Sequence, residues 1–352
     1  MAKEIRRFPR LPDKQDEILI KVVEKLSKRY KGDENRSVAL LRDSIFAEPE
    51  LWVPTGIFPI DCIVSSGRGI PDGIVEIYGP PGAGKSAVLE HILANSQNLG
   101  YFTSLFPMEY SFNLKRAVRV GIDPHKLVIH DAETIEDVYD ETKDFVRGIR
   151  KHDPVTPIVI GWDTIAATPT RTELEHKKGL DASDMGKMAA QMSKFFRRLV
   201  RFLRKNHVCL VCINQTRTNL GKMWGDKETT YGGVALQFYA WVRLRVRVDH
   251  ILKGHHDHEV GIMSTIKIRK NKVDAPFREC NIPIYWTYGI DRYEAMWEYG
   301  KEQDVFKING RHYKWHGETI SRDRFRKMYK GNKHLIRQEL RAASRRGLEG
   351  KR

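Results

Sequence analysis

The sequence predicts an α/β fold: a mainly parallel sheet flanked by helices, with a helix and strand before it and a small α+β unit after it. Two observations support this prediction. Between residues 73 and 214, short apolar runs alternate with long amphipathic stretches, as in a parallel sheet that helices cover on both faces. A glycine-rich segment, GPPGAGKS at 79–86, follows the first apolar run and precedes a predicted helix. We expect three parts, at residues 1–50, 51–289 and 290–352.

The first predicted element is an amphipathic helix at 14–30. Its apolar residues, among them Ile18, Val22 and Leu26, recur at helical spacing with charges between them, and a short strand candidate follows. One helix and one short strand cannot bury their own apolar face. We therefore expect residues 1–50 to pack on the main body or on another subunit.

The central elements come next. The runs that predict strands are GIVEIYG, YFTSLF, KLVIHD, PIVIGWD and VCLVCIN, and the helices between them include TIEDVYDETKDFVRGIRK and MGKMAAQMSKFFRRLVRFLRKN. Two later segments, WVRLRVRVDHIL and GIMSTIKIRKNK, alternate with period two and predict antiparallel strands on either side of an exposed, histidine-rich turn. Cys209 and Cys212 fall within a strand, so we expect buried thiols and not a zinc site.

Charge points to a polyanionic partner. The chain of 352 residues has a formal net charge of +16 and an isoelectric point of about 9.6. Residues 290–352 carry 17 Lys and Arg against 9 Asp and Glu, which is half of the net charge. Nucleic acid fits better than a membrane, because no basic amphipathic anchor and no spanning apolar segment is evident. The first 17 residues lack the apolar core of a secretory signal, so we expect a cytoplasmic protein.

The glycine-rich segment matches the phosphate-loop pattern G-x-x-x-x-G-K-S/T between a strand and a helix. Its glycines let backbone N–H groups face phosphates, and the helix adds its positive end. Lys85 is expected to contact the β- and γ-phosphates of ATP, and the Ser86 hydroxyl to bind Mg²⁺. The predicted ATP-binding residues of this segment are Gly79, Pro80, Pro81, Gly82, Ala83, Gly84, Lys85, Ser86 and Ala87.

Two carboxylates complete a hydrolytic site. Asp163 ends the apolar strand PIVIGWD, where an aspartate binds Mg²⁺, often through water. Glu109 follows the strand YFTSLF, which we expect to lie next to the phosphate-loop strand, so that Glu109 can orient or deprotonate water. Taken alone, each residue could equally be a capping or surface carboxylate.

Several segments together resemble the RecA family of recombinases, including its phage-encoded relatives such as UvsX. They are TGIFPIDCIVSSGRGIPDGIVEIYGPPGAGKS, INQTRTNLGKMWGDKETTYGGVALQFYAWVRLRVR, IKIRKNKVDAPF and YKWHGETISRDRFRKMY. The resemblance runs from about Leu51 to the C-terminus and is most specific at 213–247. It implies a RecA-like ATPase core with an N-terminal polymerisation element and a small basic C-terminal DNA-binding domain.

The resemblance also implies roles for single residues. Glu109 matches the catalytic glutamate and Gln215 the glutamine that senses the γ-phosphate. Lys270 and Lys272 match a pair that reaches the ATP of the neighbouring subunit. Arg116 stands where the bacterial family has an adenine-stacking tyrosine. The residues implied to bind DNA are Met185, Gly186, Arg217, Thr218, Lys222, Met223, Trp224, Thr229, Gly232 and Gly233.

The implied function is ATP-dependent DNA strand exchange. Such a protein forms helical filaments on single-stranded DNA with Mg²⁺ and ATP, admits duplex DNA, and works with single-strand-binding and mediator proteins. Two alternatives stay open at this point: a hexameric helicase on the same core, and an ATP-gated DNA scaffold or mediator that does not hydrolyse ATP. The looser match and the basic C-terminus favour a phage origin, which would place the protein in the host cytoplasm.

Overall fold

The computed structural model describes residues 13–30, 38, 40, 48–175, 184–218, 228–309 and 312–349. The chain divides into two compact units, Met1–Pro49 and Glu50–Arg352. The first unit contains helix α1 (Asp13–Arg29), as predicted, while most of the predicted strand after it lies outside the described residues. The apolar side of α1 is exposed, with Ile18 54% accessible.

The second unit holds the other described helices. They are α2 (Phe58–Ser65), α3 (Lys85–Asn98), α4 (Leu114–Val120), α5 (Ile135–Arg150), α6 (Arg171–Glu175), α7 (Asp184–Lys205), α8 (Ala235–Tyr239), α9 (Arg292–Glu302) and α10 (Arg322–Glu349). Thr134 starts α5 with a capping box, because its side chain and that of Asp137 each accept a hydrogen bond from the other's backbone N–H.

The strands fall into three sheets. They are β1 (Trp52–Val53), β2 (Ile70–Pro71), β3 (Gly73–Gly79), β4 (Phe102–Phe106), β5 (Leu127–Ile129), β6 (Ile158–Trp162), β7 (Val208–Thr218), β8 (Glu228–Thr230), β9 (Val242–Lys253), β10 (Glu259–Asn271), β11 (Glu279–Tyr285), β12 (Gly289–Ile290), β13 (Lys307–Asn309), β14 (His312–Trp315) and β15 (Glu318–Ile320). All five predicted central strands are present, in β3, β4, β5, β6 and β7.

The main sheet has the order β12-β11-β10-β9-β3-β7-β6-β4-β5, with β8 paired to the end of β7. Its middle, from β9 through β3, β7, β6 and β4 to β5, is parallel. The predicted antiparallel pairing of β9 with β10 is confirmed, although β9 itself runs parallel to β3. Parallel strands end at one edge of a sheet, and that edge carries the residues predicted to bind ATP.

Helices cover the two faces of this sheet. On one face, side chains such as Val75, Ile77 and Val211 share a buried cluster with α2, α3, α9 and α10. On the other face, Ile74 and Leu210 pack on α5, α7 and α8. Neighbouring strand residues thus point into opposite cores, and the fold is the predicted α/β class.

One predicted neighbour relation is wrong. The strand before Glu109 was expected beside the phosphate-loop strand, but β7 and β6 lie between β3 and β4. The long connection through α3 allows β4 to join the sheet beyond them, since crossover connections do not require consecutive strands to be neighbours. Glu109 still reaches the nucleotide edge because the chain continues past the end of β4.

The structure also describes the cysteines and the histidine-rich turn. All four cysteines are free and buried, so the buried-thiol interpretation of Cys209 and Cys212 is confirmed. The histidine-rich turn is an exposed 3-10 turn, His255–Asp257. Within the described ranges, no group of three or more His, Cys, Asp and Glu side chains could hold a metal ion, and none of the helices is long and apolar enough to cross a membrane.

A testable prediction concerns Gly82 and Gly84, which both have positive φ angles, 72° and 92°. A Cβ at Gly84 would overlap the Cδ1 atom of buried Ile284, whereas one at Gly82 meets nothing within 4 Å. We expect Gly84→Ala to lower the free energy of unfolding by about 1–3 kcal/mol more than Gly82→Ala, because only the first adds overpacking to the shared backbone strain. Urea denaturation measures both.

The matched rescue is Ile284→Val, which removes the Cδ1 atom. Combined with Gly84→Ala, it should recover part of the lost stability, even though valine alone costs about 0.5–1.5 kcal/mol in a core. Equal losses for the two alanine variants, or no recovery in the double variant, would contradict the packing of the turn on β11.

Candidate active site

The turn between β3 and α3 forms a phosphate-sized cradle. Gly84, in a left-handed conformation, caps the N-terminus of α3. Lys85 Nζ donates a hydrogen bond to the Pro80 carbonyl oxygen at 2.8 Å, and Ser264 Oγ donates to the Ala83 carbonyl at 2.9 Å. Burial lowers the pKa of Lys85, opposed by nearby carboxylates. The bonds from Lys85 and from Ser264 therefore both fix the backbone of the turn, and the Lys85 ammonium group lies inside it.

Oxygen ligands of the kind that Mg²⁺ prefers lie together here. The Ser86 hydroxyl, in the first turn of α3, lies close enough to the Asp163 carboxylate, directly after β6, to lower its pKa. Burial raises the pKa of Asp163, and the charge of Glu109 acts in the same direction. A hydroxyl and a carboxylate fit a hard divalent cation. The two residues predicted to hold Mg²⁺ thus face the same cleft.

Glu109 and Gln215 meet across the same edge of the sheet. Gln215 Nε2 donates a hydrogen bond to Glu109 Oε1 at 2.9 Å. In the ladder between β3 and β7, Gln215 lies opposite Gly79, the first residue of the phosphate loop. The structure therefore brings the predicted catalytic carboxylate and the predicted phosphate sensor into contact beside the cradle.

These groups line a cleft of about 320 Å³. Its lining comprises Pro81, Gly82, Gly84, Lys85, Ser86, Ala87, Glu90, Glu109, Arg116, Asp163, Gln215, Ile262, Ile284, Tyr285, Trp286 and Gly289. Arg116 lies in the wall, where its guanidinium binds the buried carboxylate of Glu90 through both oxygens. A guanidinium in such a pair is fixed in position.

One wall of the cleft was not predicted from the sequence. Tyr285, Trp286 and Gly289 line it from the segment joining β11 to β12. The Tyr285 and Tyr288 rings stack at 4.9 Å, and Trp286 is 52% accessible. The signal available in the sequence was YWTYG, three aromatic residues within four positions directly after an apolar strand.

Lys270 and Lys272 lie elsewhere, at and just beyond the end of β10. Lys270 Nζ donates to the carbonyl oxygens of Gln237 at 2.6 Å and Phe238 at 2.7 Å, and Lys272 Nζ reaches the Phe238 carbonyl at 3.5 Å. Burial, together with the charges of Lys272 and Arg243, lowers the pKa of Lys270 to about 8. Neither lysine lines the cleft of its own chain.

The predicted DNA-binding residues are described in part. Thr229 pairs with Arg217 in the ladder between β7 and β8, and the Arg217 guanidinium lies 3.5 Å from the centre of the Tyr231 ring. Gly232 and Gly233 follow at once, both with positive φ.

The other predicted DNA-binding residues can be placed only by backbone, or fall outside the described residues. Met185 and Gly186 lie in the first turn of α7, and Thr218 lies at the end of β7. The structure describes only the backbone at these three positions. Lys222, Met223 and Trp224 fall within 219–227, outside the described residues.

Comparison with known proteins agrees with this geometry. The family model RecA N-terminal domain matches residues 18–291. Protein RecA of Geobacter sulfurreducens is 33% identical over 273 residues, covering 77% of this chain and 78% of that protein. Protein RecA of Saccharopolyspora erythraea is 34% identical over 285 residues, with 81% and 79% covered, and that of Salinispora tropica is 35% identical over 269 residues, with 76% and 74% covered. The chain therefore belongs to the RecA family of DNA-dependent ATPases, which use ATP with Mg²⁺ and act in DNA recombination and repair.

Proposed function

We propose that this protein polymerises on single-stranded DNA as a helical filament, binds ATP between subunits and pairs the strand with homologous duplex DNA. The observation that supports this most is the contact of Gln215 with Glu109. It joins the hydrolytic carboxylate to β7, and β7 leads directly into the segment that we assign to DNA.

In the proposed reaction, the phosphate loop holds the triphosphate of ATP. Backbone N–H groups of the turn and Lys85 bind the phosphates, and Ser86 and Asp163 would hold Mg²⁺, which supplies positive charge to the β- and γ-phosphates. Glu109 orients or deprotonates the attacking water. Gln215 lines the same cleft as Lys85, and its amide would exchange its bond to Glu109 for one to the γ-phosphate. The end of β7 would then adopt one conformation when ATP is bound and another when ADP is bound.

The base of the nucleotide is proposed to lie against the aromatic wall. Arg116 is tied to Glu90, so it is poorly placed to replace a stacking tyrosine. Trp286 offers a large, half-exposed ring in the same cleft. A purine stacked on Trp286 would share the cleft with Arg116 and Glu90.

We assign single-stranded DNA to two loops at the end of the parallel sheet. One begins at Arg217 and Thr218, the last residues of β7, includes Lys222, Met223 and Trp224, and returns through Thr229, Gly232 and Gly233. The other ends at Met185 and Gly186, where α7 begins. Basic side chains would bind the phosphate backbone, and apolar side chains would insert between or stack on bases without reading sequence.

Filament contacts are proposed for two further features. The exposed apolar side of α1 is suited to pack on a neighbouring subunit, and head-to-tail contacts that do not close give helical polymers. Lys270 and Lys272 lie outside their own cleft and are assigned to the ATP of the neighbour, where they would stabilise charge as an arginine finger does. Residues 1–50 would be the exchanged element, 51–289 the ATPase core and 290–352 a basic DNA-binding domain.

The wider setting is part of the same proposal. The looser match to the bacterial family and the basic C-terminus favour a phage-encoded protein, so we place it in the host cytoplasm, in contact with single-strand-binding and mediator proteins.

The function is tested by ATP turnover. We expect hydrolysis to rise at least about tenfold when single-stranded DNA is added, because only the DNA-bound filament assembles complete sites. Glu109→Gln should abolish turnover and still bind DNA with ATP. Turnover that is indifferent to DNA would contradict the proposal, and closed six-membered rings in electron micrographs would favour a helicase instead.

A mixing experiment tests the lysine pair. Glu109→Gln and the double variant Lys270→Ala/Lys272→Ala should each lack turnover. Mixed in equal amounts, they should recover activity at about one quarter of the interfaces, where an intact Glu109 faces intact lysines of the neighbour. The control mixture contains Glu109→Gln with the triple variant that carries all three changes. If the lysines acted within their own chain, the first mixture would be as inactive as the control.

A further inference from the structure

Asn214 and Gln215 are consecutive residues at the end of β7, and their side chains point to opposite faces of the sheet. Gln215 reaches Glu109 in the nucleotide cleft. Asn214 reaches Glu76 on β3 and the segment after β8 on the other face. This alternation is the ordinary geometry of a strand. At these two residues, β7 therefore contacts both the nucleotide cleft and the segment after β8, where the assigned DNA loop rejoins the sheet.

Asn214 is fully buried, and its side chain makes three hydrogen bonds. Its Nδ2 donates to Glu76 Oε1 at 3.1 Å and to the Tyr231 carbonyl oxygen at 3.0 Å. Its Oδ1 accepts from the backbone N–H of Gln215 at 2.9 Å. Both donors and the acceptor are thus in use, so the amide can adopt only one orientation in this arrangement.

The partners of Asn214 are themselves fixed. Glu76 is fully buried, and its second oxygen binds Arg243 on β9. A buried carboxylate needs both partners, because losing one leaves charge uncompensated. The Tyr231 ring, in turn, stacks under the Arg217 guanidinium, and Gly232 and Gly233 follow Tyr231. A shift of Asn214 would therefore move the Tyr231 carbonyl, where the assigned DNA loop returns to the sheet, while Glu76 stays in place.

We infer that Asn214 is the positioning residue that couples the nucleotide cleft to the DNA loop. It ties the backbone of Gln215 to the carbonyl of Tyr231, so a change in the position of Gln215 is passed to the loop through one side chain. This rests on the proposed function and deepens it. Asn214 touches neither ATP nor DNA in this assignment, so its loss should change the coupling between the sites and not the affinity of either alone.

The experiment measures the affinity of the full chain for a labelled single-stranded oligonucleotide, with a non-hydrolysable ATP analogue and with ADP. We expect Asn214→Ala to reduce the ratio of these two affinities at least about tenfold relative to wild type. Binding of a fluorescent ATP analogue should change by less than about threefold, since no nucleotide contact is lost.

Two further variants keep the test decisive. Asn214→Leu preserves the approximate shape of the side chain, adds no charge beside Glu76 and lacks both N–H donors, so it should show the same loss of ratio if Asn214→Ala does not fold. Arg243→Gln also disturbs Glu76 but leaves the Tyr231 contact, so it should lower the melting temperature and keep the wild-type ratio.

The outcomes separate the two claims. A wild-type ratio that survives in both Asn214 variants overturns the inference alone, as does an equal loss of ratio in Arg243→Gln. A wild-type protein that binds DNA equally with either nucleotide overturns the proposed function, and the inference with it.

Discussion

The parallel register of β3 and β7 is the constraint on which the site depends. It sets Gln215 opposite Gly79, and so places an amide beside the first residue of the phosphate loop. A shift of one residue would exchange the faces of Gln215 and Asn214. The glutamine would then lose Glu109, and the asparagine would lose the buried carboxylate of Glu76. Both contacts require the same register, and each independently stabilises it.

The charged side chains at this edge of the sheet influence one another because the register brings them together. Burial lowers the pKa of Lys85 and raises that of Asp163, so each charged form is costly by itself and is stabilised by the other. Lys85 and Lys270 also share a feature, because each ammonium group binds backbone carbonyl oxygens. An ammonium group has three N–H donors, so these carbonyl bonds fix its position and leave at least one donor for a phosphate.

Much of the fold and site could be predicted from the sequence, for physical reasons. Apolar runs of strand length gave β3 to β7, and the glycine spacing gave the phosphate loop, because both patterns reflect local backbone demands. Strand order is not local, and the expected position of β4 beside β3 was wrong.

Contacts between distant segments were likewise hidden. The aromatic wall at Trp286 and the ion pair of Arg116 with Glu90 join segments that only the folded sheet brings together. In the sequence, Asn214 is one polar residue after an apolar run. Its three hydrogen bonds can be identified only in the folded structure, where β3, β7 and the segment after β8 come together. Glu109 was predicted both from its place after an apolar strand and from family resemblance, whereas Gln215 was identified through the resemblance.

In the proposed mechanism, the bound nucleotide alone changes the order of the strand pair after Gln215. Amide hydrogen exchange of the ladder between β7 and β8, at Thr216 and Thr230, measures this directly when DNA is left out. We expect slower exchange with a non-hydrolysable ATP analogue than with ADP, because the γ-phosphate holds Gln215 and, through β7, the ladder. Equal exchange rates with the two nucleotides would contradict the claim.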